Sequence, residues 1–246
     1  MKKNLTFCIS LLAFITSQQV IGNDLPEHYK DDMQEHGIEE VSRFDAPGAT
    51  GYLLLDPTGQ MFTAYALESN ESVIVGTMYD AEGADLSSEV LNNYSLQLLE
   101  SSDLWFSRGN PEAPYVYVVD DPMCPYCHQQ YEVLKNAVDE GKLQIRHLLV
   151  GILGEQSQQK ANKILESDDP SATFEEHHAR FDEGGIEGIA PNYNQKQRIE
   201  THNELMYQLG VRGTPAIFYR DSEGNSHRVG GFTEDVASIF QRLGIE

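Results

Sequence analysis

Two cysteines three residues apart, Cys124 and Cys127, with His128 directly behind the second, stand in the stretch DPMCPYCHQQY at 121–131. The chain has three cysteines in all, the remaining one being Cys8 near its start. A CxxC pair can work as a dithiol redox couple, a CxxCH string can attach a haem, and two thiolates with an imidazole supply three of the four ligands of a zinc site. A purely structural disulfide gains little here, because closing so short a loop removes chain entropy worth about 2 kcal/mol.

The flanking residues bear on the choice. YVYVVDD (115–121) is a continuous valine-rich run, the pattern of a buried central strand. Beyond the pair, Tyr131, Leu134 and Val138 fall on one helical face and Gly141 stops the helix. Pro125 takes the first helical position, where its missing N–H costs nothing, and Tyr126 follows it. Cys124 is then the N-cap, with unpaired N–H groups and the positive end of the helix dipole favouring its thiolate. Cys127 lies one turn on, on the same face and more buried, with its sulfur in bonding range. In this reading Cys124 attacks and Cys127 resolves, while Asp120 and Asp121 stand close and oppose the thiolate.

The rivals make different demands. Haem needs an apolar pocket and usually a second axial ligand, whereas this motif punctuates a strand-to-helix turn. Zinc needs a fourth ligand. The nearest further candidates, His177 and His178, are adjacent, so on a helix they point to different sides and are expected in solvent. His128 is expected at the surface, near enough to tune the thiols. On the residues alone these readings stay open.

A distant segment adds weight to redox chemistry. Gly213-Thr214-Pro215-Ala216 runs straight into AIFY, and a proline is tolerated at a strand's first position because no ladder bond is asked of it. Beside a strand-CPYC-helix unit, the Thr214–Pro215 bond is predicted to be cis, lying against the cysteines and offering backbone to an extended substrate.

The elements that must position these residues follow. LQIRHLLV (143–150) is a second strand joined to the first through a helix, so the two are parallel. Residues 155–209 are helical in pieces: Ala161, Ile164 and Leu165 share a face, Asp169 and Pro170 make a cap pair, and Ile199, Leu205 and Leu209 mark a last helix. The glycine-rich EGGIEGIAPN (183–192) lacks GxGxxG spacing, so no nucleotide is expected. AIFYRD, SEGN, HRVGG and TEDVASIFQRLG give a strand, a turn, a strand and a closing helix. The order βαβ, helical insertion, ββα is that of an α/β thioredoxin fold over 113–246, with the insertion at about 155–209.

The first half reads as a small α+β domain. LPEHYKDDMQEH (25–36) is a short helix ended by Gly37, and β-rich runs at 51–57, 60–68 and 72–79 are separated by the turn sequences DPTG and ESNE. From Ser87 to about Arg108, Leu91, Tyr94, Leu98 and Trp105 fall at roughly helical spacing, as in a semi-rigid connecting helix broken by RGNPEAP. Residues 1–22, with Lys2, Lys3 and an apolar core too short to span a membrane, read as a signal peptide. Cys8 falls within it, and no lipobox precedes a cysteine at the cleavage point. With 39 acidic against 17 basic side chains and a formal charge of −22, nucleic acid and anionic membranes are poor partners.

DPMCPYC, GKLQIRHLLVGIL (141–153) and GVRGTPAIFY (210–219) resemble the periplasmic disulfide isomerases and reductases of the DsbC/DsbG family, on its DsbG side. FDAPGATGYL (44–53) and GTMYDAEGADLS (76–87) are similar to that family's cystatin-like dimerisation domain. CPYC in place of CGYC favours the DsbG side, and Thr214 separates the chain from the oxidase DsbA, which has valine there. The resemblance implies a homodimer joined through 23–86, a linker helix over 87–112 and catalytic domains facing a shared cleft. It further implies a periplasmic location, exported client proteins, no cofactor or metal, and recharging by a DsbD-type membrane reductase. The reaction would be disulfide isomerisation or reduction of sulfenylated cysteines. The alternative is a binding chaperone that uses the dimer cleft, with the cysteines accessory.

Overall fold

Valine-rich runs bury both faces of a sheet, so the helices that cover them decide where the active-site helix can start. The computed structural model describes residues 24–69 and 71–245; the expected signal peptide at 1–22 lies outside them.

The first half opens with helix α1 (Glu27–Glu35) and four strands, β1 (Glu39–Ala46), β2 (Ala49–Leu55), β3 (Met61–Leu67) and β4 (Val73–Val75), antiparallel in that order. Three strands are predicted from the sequence; β1 is the addition. Its residues EEVSRFDA are exposed or half-buried throughout. Its register comes from pairing, with Glu39 opposite Leu55 and Ala46 opposite Ala49, and no apolar pattern announces it. The apolar side of the sheet packs Tyr52, Leu54, Ala64 and Ala66 on Leu25 and Met33. The run at 72–79 yields only the short β4, which forms one edge and leaves Ile74 and Val75 exposed.

The second half holds a five-stranded sheet of β5 (Phe106–Gly109), β6 (Tyr115–Asp120), β7 (Gln144–Leu149), β8 (Ala216–Arg220) and β9 (Ser226–Gly230), in the order β5-β7-β6-β8-β9. β6 and β7 are parallel, and β8 runs antiparallel to β6. Helices α3 (Pro125–Asp139) and α7 (Val236–Leu243) cover one face through Val116, Val118, Leu134, Ile145, Ile217 and Ile239. Between β7 and β8 come α4 (Glu155–Leu165), α5 (Pro170–Ala179) and α6 (Tyr193–Gln208). α6 is held at its start by a reciprocal capping box between Asn192 and Gln195.

Two features differ from the sequence-based expectation. The connecting helix α2 (Leu86–Ser101), capped by the Asp85 carboxylate on Ser88 N–H, stops short of Trp105. The residues beyond it form β5, which hydrogen-bonds antiparallel to β7. Nor is α2 a free spacer. Leu96 and Leu99 are fully buried with Tyr117, Val119, Phe218 and Met206 on the second face of the thioredoxin sheet, so the helix belongs to that core. At its other end Ser87 Oγ meets Tyr65 Oη of the first sheet, and Arg212 reaches Gln60 across the same junction.

Truncating such a position leaves a cavity between helix and sheet. Leu99→Ala is expected to cost about 2–5 kcal/mol in urea unfolding, whereas a spacer helix would lose little.

Candidate active site

The site begins where β6 ends. After Asp120 the chain turns through 121–123, and Cys124 caps α3 in an extended conformation with Pro125 behind it. Cys124 Sγ accepts a hydrogen bond from Cys127 N–H at 3.3 Å, and the thiol donates to Thr214 O at 3.4 Å. The Thr214–Pro215 bond is cis, and the loop that carries it lies directly against Cys124. Tyr126 projects outward at 59% exposure.

The two thiols are unequal. Cys124 is pulled down to about 6, first by the hydrogen bond from the Cys127 thiol and also by the Thr214 side chain and the backbone N–H groups of Cys127 and Tyr126, against its burial. Cys127, at 0% exposure, is pushed well above its ordinary value, first by burial, then by its bond to Cys124 and the charge of Asp120. Both side chains are buried, Cys124 at 4% exposure, but one sulfur is met by donors that favour its thiolate and the other is an enclosed thiol. A haem could not reach Cys127 without opening the core.

The two aspartates ahead of the pair part company. Asp121 does not stand free beside the thiolate. Its carboxylate accepts from Met123 N at 2.8 Å, Ile152 N at 2.9 Å, Leu153 N at 3.2 Å and Ser157 Oγ at 2.6 Å. That ties the pre-cysteine turn to the loop after β7 and to α4. Asp120 is buried against His147, Oδ2 to Nδ1 at 2.5 Å, and its charge acts on Cys127.

The histidine pair also departs from expectation. His177 and His178 are buried, because α5 is wedged between the active-site turn and α3. His177 Nε2 donates to Pro122 O at 2.7 Å while its Nδ1 accepts from Ile186 N–H, which sets the tautomer. His178 stacks on Tyr131 at 4.2 Å, and its Nδ1 lies 3.0 Å from His128 Nδ1. Burial drives His178 down to about 2, so it stays neutral. His128 is half-buried, sandwiched with Phe181 at 4.3 Å and turned toward α5. Among the described residues no group of three or more metal-ligating side chains forms.

The residues that sequence reasoning missed are therefore supports: Asp121 as a clamp, His177 as a brace for Pro122, and the Asp120–His147 pair. The available signal was charge in the wrong place, two acids closing a valine run, since such residues are seldom buried without partners.

Three comparisons bear on the family. The profile of the thioredoxin-like domain matches residues 108–243. The thiol:disulfide interchange protein DsbG of Pseudomonas aeruginosa is 35% identical over 81% of this chain and 81% of its own. That of Escherichia coli is 32% identical over 82% of this chain and 85% of its own. Among solved structures, a linker-deletion mutant of Proteus mirabilis ScsC superposes with a TM-score of 0.50 at 17% identity, covering 64% of this chain and 84% of that one, which speaks for the fold alone. A strand-to-helix dithiol facing a cis-proline, on a chain this similar to two DsbG proteins over four-fifths of its length, makes the protein a member of the DsbC/DsbG family of thiol:disulfide interchange enzymes.

Proposed function

We propose that the protein is a periplasmic disulfide isomerase and reductase in which the Cys124 thiolate attacks an electrophilic sulfur and Cys127 resolves the mixed disulfide. The inequality of the two thiols carries this reading: the sulfur at the helix N-terminus is held down to about 6 and its neighbour is buried and held up. A low-pKa thiolate is a good leaving group as well as a nucleophile, which suits repeated exchange. The loop at Thr214 and Pro215 offers backbone beside the sulfur, so an extended client segment docks there. The same first step reduces a sulfenylated cysteine, with water as the leaving group and the mixed disulfide as product.

The first half is assigned to dimerisation. The edge strand β4, with Ile74 and Val75 exposed and unpaired backbone along one side, supports this, since such an edge invites a second strand. A dimer keeps two dithiols facing one cleft, where a DsbD-type membrane reductase would recharge them. Export rests on the signal-peptide reading of 1–22.

Three outcomes test these assignments. Trapping free thiols in intact cells with a mass-tagged alkylating reagent is expected to find Cys124 and Cys127 mostly reduced; a mostly oxidised pair would mean a disulfide-donating oxidase instead. In vitro, the alkylation rate of Cys124 should rise with pH through a midpoint near 6, because the thiolate is the reactive form, and level off by neutral pH. A midpoint near that of a free thiol would remove the basis of the assignment. Ile74→Glu combined with Val75→Lys is expected to give monomers by light scattering, with Cys124 alkylation unchanged.

A further inference from the structure

A chain with 39 acidic against 17 basic side chains has a carboxylate to spare for every cation, and most of its arginines take one. Arg43, Arg108, Arg180, Arg198 and Arg220 each have a carboxylate at ion-pair distance. Arg212 and Arg228 have none among the described residues. These two line the same cavity, and no acidic residue lines it with them.

The cavity measures about 160 Å³ and lies where the two halves of the chain meet. Gln60 enters it from the turn between β2 and β3, Asn92 and Ser95 from α2, Arg212 from the loop that leads to Thr214, and Arg228 from β9. Sites for drug-sized molecules run from roughly 300 to 1,000 Å³, so this one has room for an ion or a single small group. Its uncharged polar side chains are an amide at Gln60, an amide at Asn92 and a hydroxyl at Ser95, all able to donate.

Both guanidinium groups are held in place by the protein. Arg228 donates to Leu209 O at 3.5 Å and Gly210 O at 3.0 Å, with its carbon 5.5 Å from the centre of the Phe218 ring. Arg212 donates to Tyr207 O at 3.2 Å and Gln60 Oε1 at 3.4 Å, and lies over the Tyr207 ring at 5.3 Å. The three carbonyls belong to the end of α6, whose dipole favours a cation there. That dipole amounts to roughly half a negative charge, against two full positive ones. Burial, and after it the charge of Arg212, pull Arg228 below its ordinary value. Asp56 is the carboxylate that senses Arg212, and its Oδ1 already accepts from Thr58 N, Thr58 Oγ1 and Gln60 N. Each guanidinium carries five N–H donors and uses two, so hydrogens remain on both for a further acceptor.

We propose that the cavity between Arg212 and Arg228 binds one small tetrahedral oxyanion, a phosphate or sulfate. Two planar forks arriving from different elements match the several oxygens of a tetrahedral ion better than the two of a carboxylate, and their fixed orientation removes most of the ordering cost of binding. The bound ion joins the loop before Thr214 to β9 and, through the amide of Asn92 and the hydroxyl of Ser95, to α2. This site stands apart from the dithiol and does not depend on the exchange chemistry assigned to it.

The test is calorimetric titration of the full chain with inorganic phosphate, ionic strength being held constant with sodium chloride. One saturable phosphate per chain is expected, with sulfate competing and acetate binding more weakly. Arg212→Gln and Arg228→Gln should each weaken binding by about tenfold or more, the worth of a hydrogen bond to a charged group. Arg242→Gln, outside the cavity, should leave it unchanged. In urea, the wild-type unfolding constant should fall about tenfold for each tenfold rise in phosphate above its Kd, by linkage, whereas the Gln variants keep only the non-saturating effect of a stabilising salt. If the arginines serve only to close the end of α6, the substitutions destabilise the chain equally with and without phosphate, and the proposal is overturned. Absence of saturable binding, binding that survives either substitution, or acetate binding as tightly as phosphate overturns it too. Should both variants fail to fold, phenylglyoxal labelling of the wild type decides: phosphate is expected to protect Arg212 and Arg228 while Arg242 reacts at an unchanged rate, and equal labelling of all three with and without phosphate overturns the proposal.

Discussion

The buried carboxylate of Asp121 is the joint on which the site depends. Three segments that arrive from different directions, the turn before Cys124, the loop after β7 and the start of α4, all donate to its two oxygens. A carboxylate taken out of water must be met by several donors, and those donors in turn cannot be abandoned without leaving polar groups unpaired. The result is that the N-terminus of α3, and with it Cys124, has one position relative to the helical insertion. His177 adds a second tie from α5 to Pro122 O. The insertion is thus a frame around the dithiol.

Within that frame the chemistry follows from depth. Cys124 sits where helix N–H groups end and the cis-proline loop begins, so its negative form is met by donors. Cys127 sits a turn deeper, where burial first, then its bond to Cys124 and the charge of Asp120, disfavour its negative form. A single turn of helix separates a sulfur whose negative form is met by donors from one whose negative form is not.

The two halves of the chain are joined by more than a linker. α2 lays Leu96 and Leu99 into the thioredoxin core while Ser87, in its first turn, meets Tyr65 of the first sheet, so the position of the N-terminal sheet is transmitted to the catalytic domain through a packed helix. Arg212, two residues before Thr214, also reaches back to Gln60. The cis-proline loop is therefore tied to the N-terminal sheet through a direct side-chain contact.

Whatever is written in local pattern could be read from the chain alone. The valine run, the proline after Cys124, the glycine after the helix and the β-turn residues each act over a few positions, so the βαβ unit, the N-cap cysteine and the closing hairpin were legible without coordinates. Everything set by partners far along the chain came from the fold. β1 has no apolar alternation and exists because β2 offers it a ladder. β5 is four residues that read as the tail of a helix until β7 pairs with them. His177 and His178 look like solvent-facing neighbours on a polar helix, and they are buried because Pro122, Tyr131 and His128 close on them. Asp120 and Asp121 are adjacent and chemically identical in sequence. One clamps loops and the other meets His147, because successive residues on an extended chain face opposite ways and only the folded sheet supplies what each side touches.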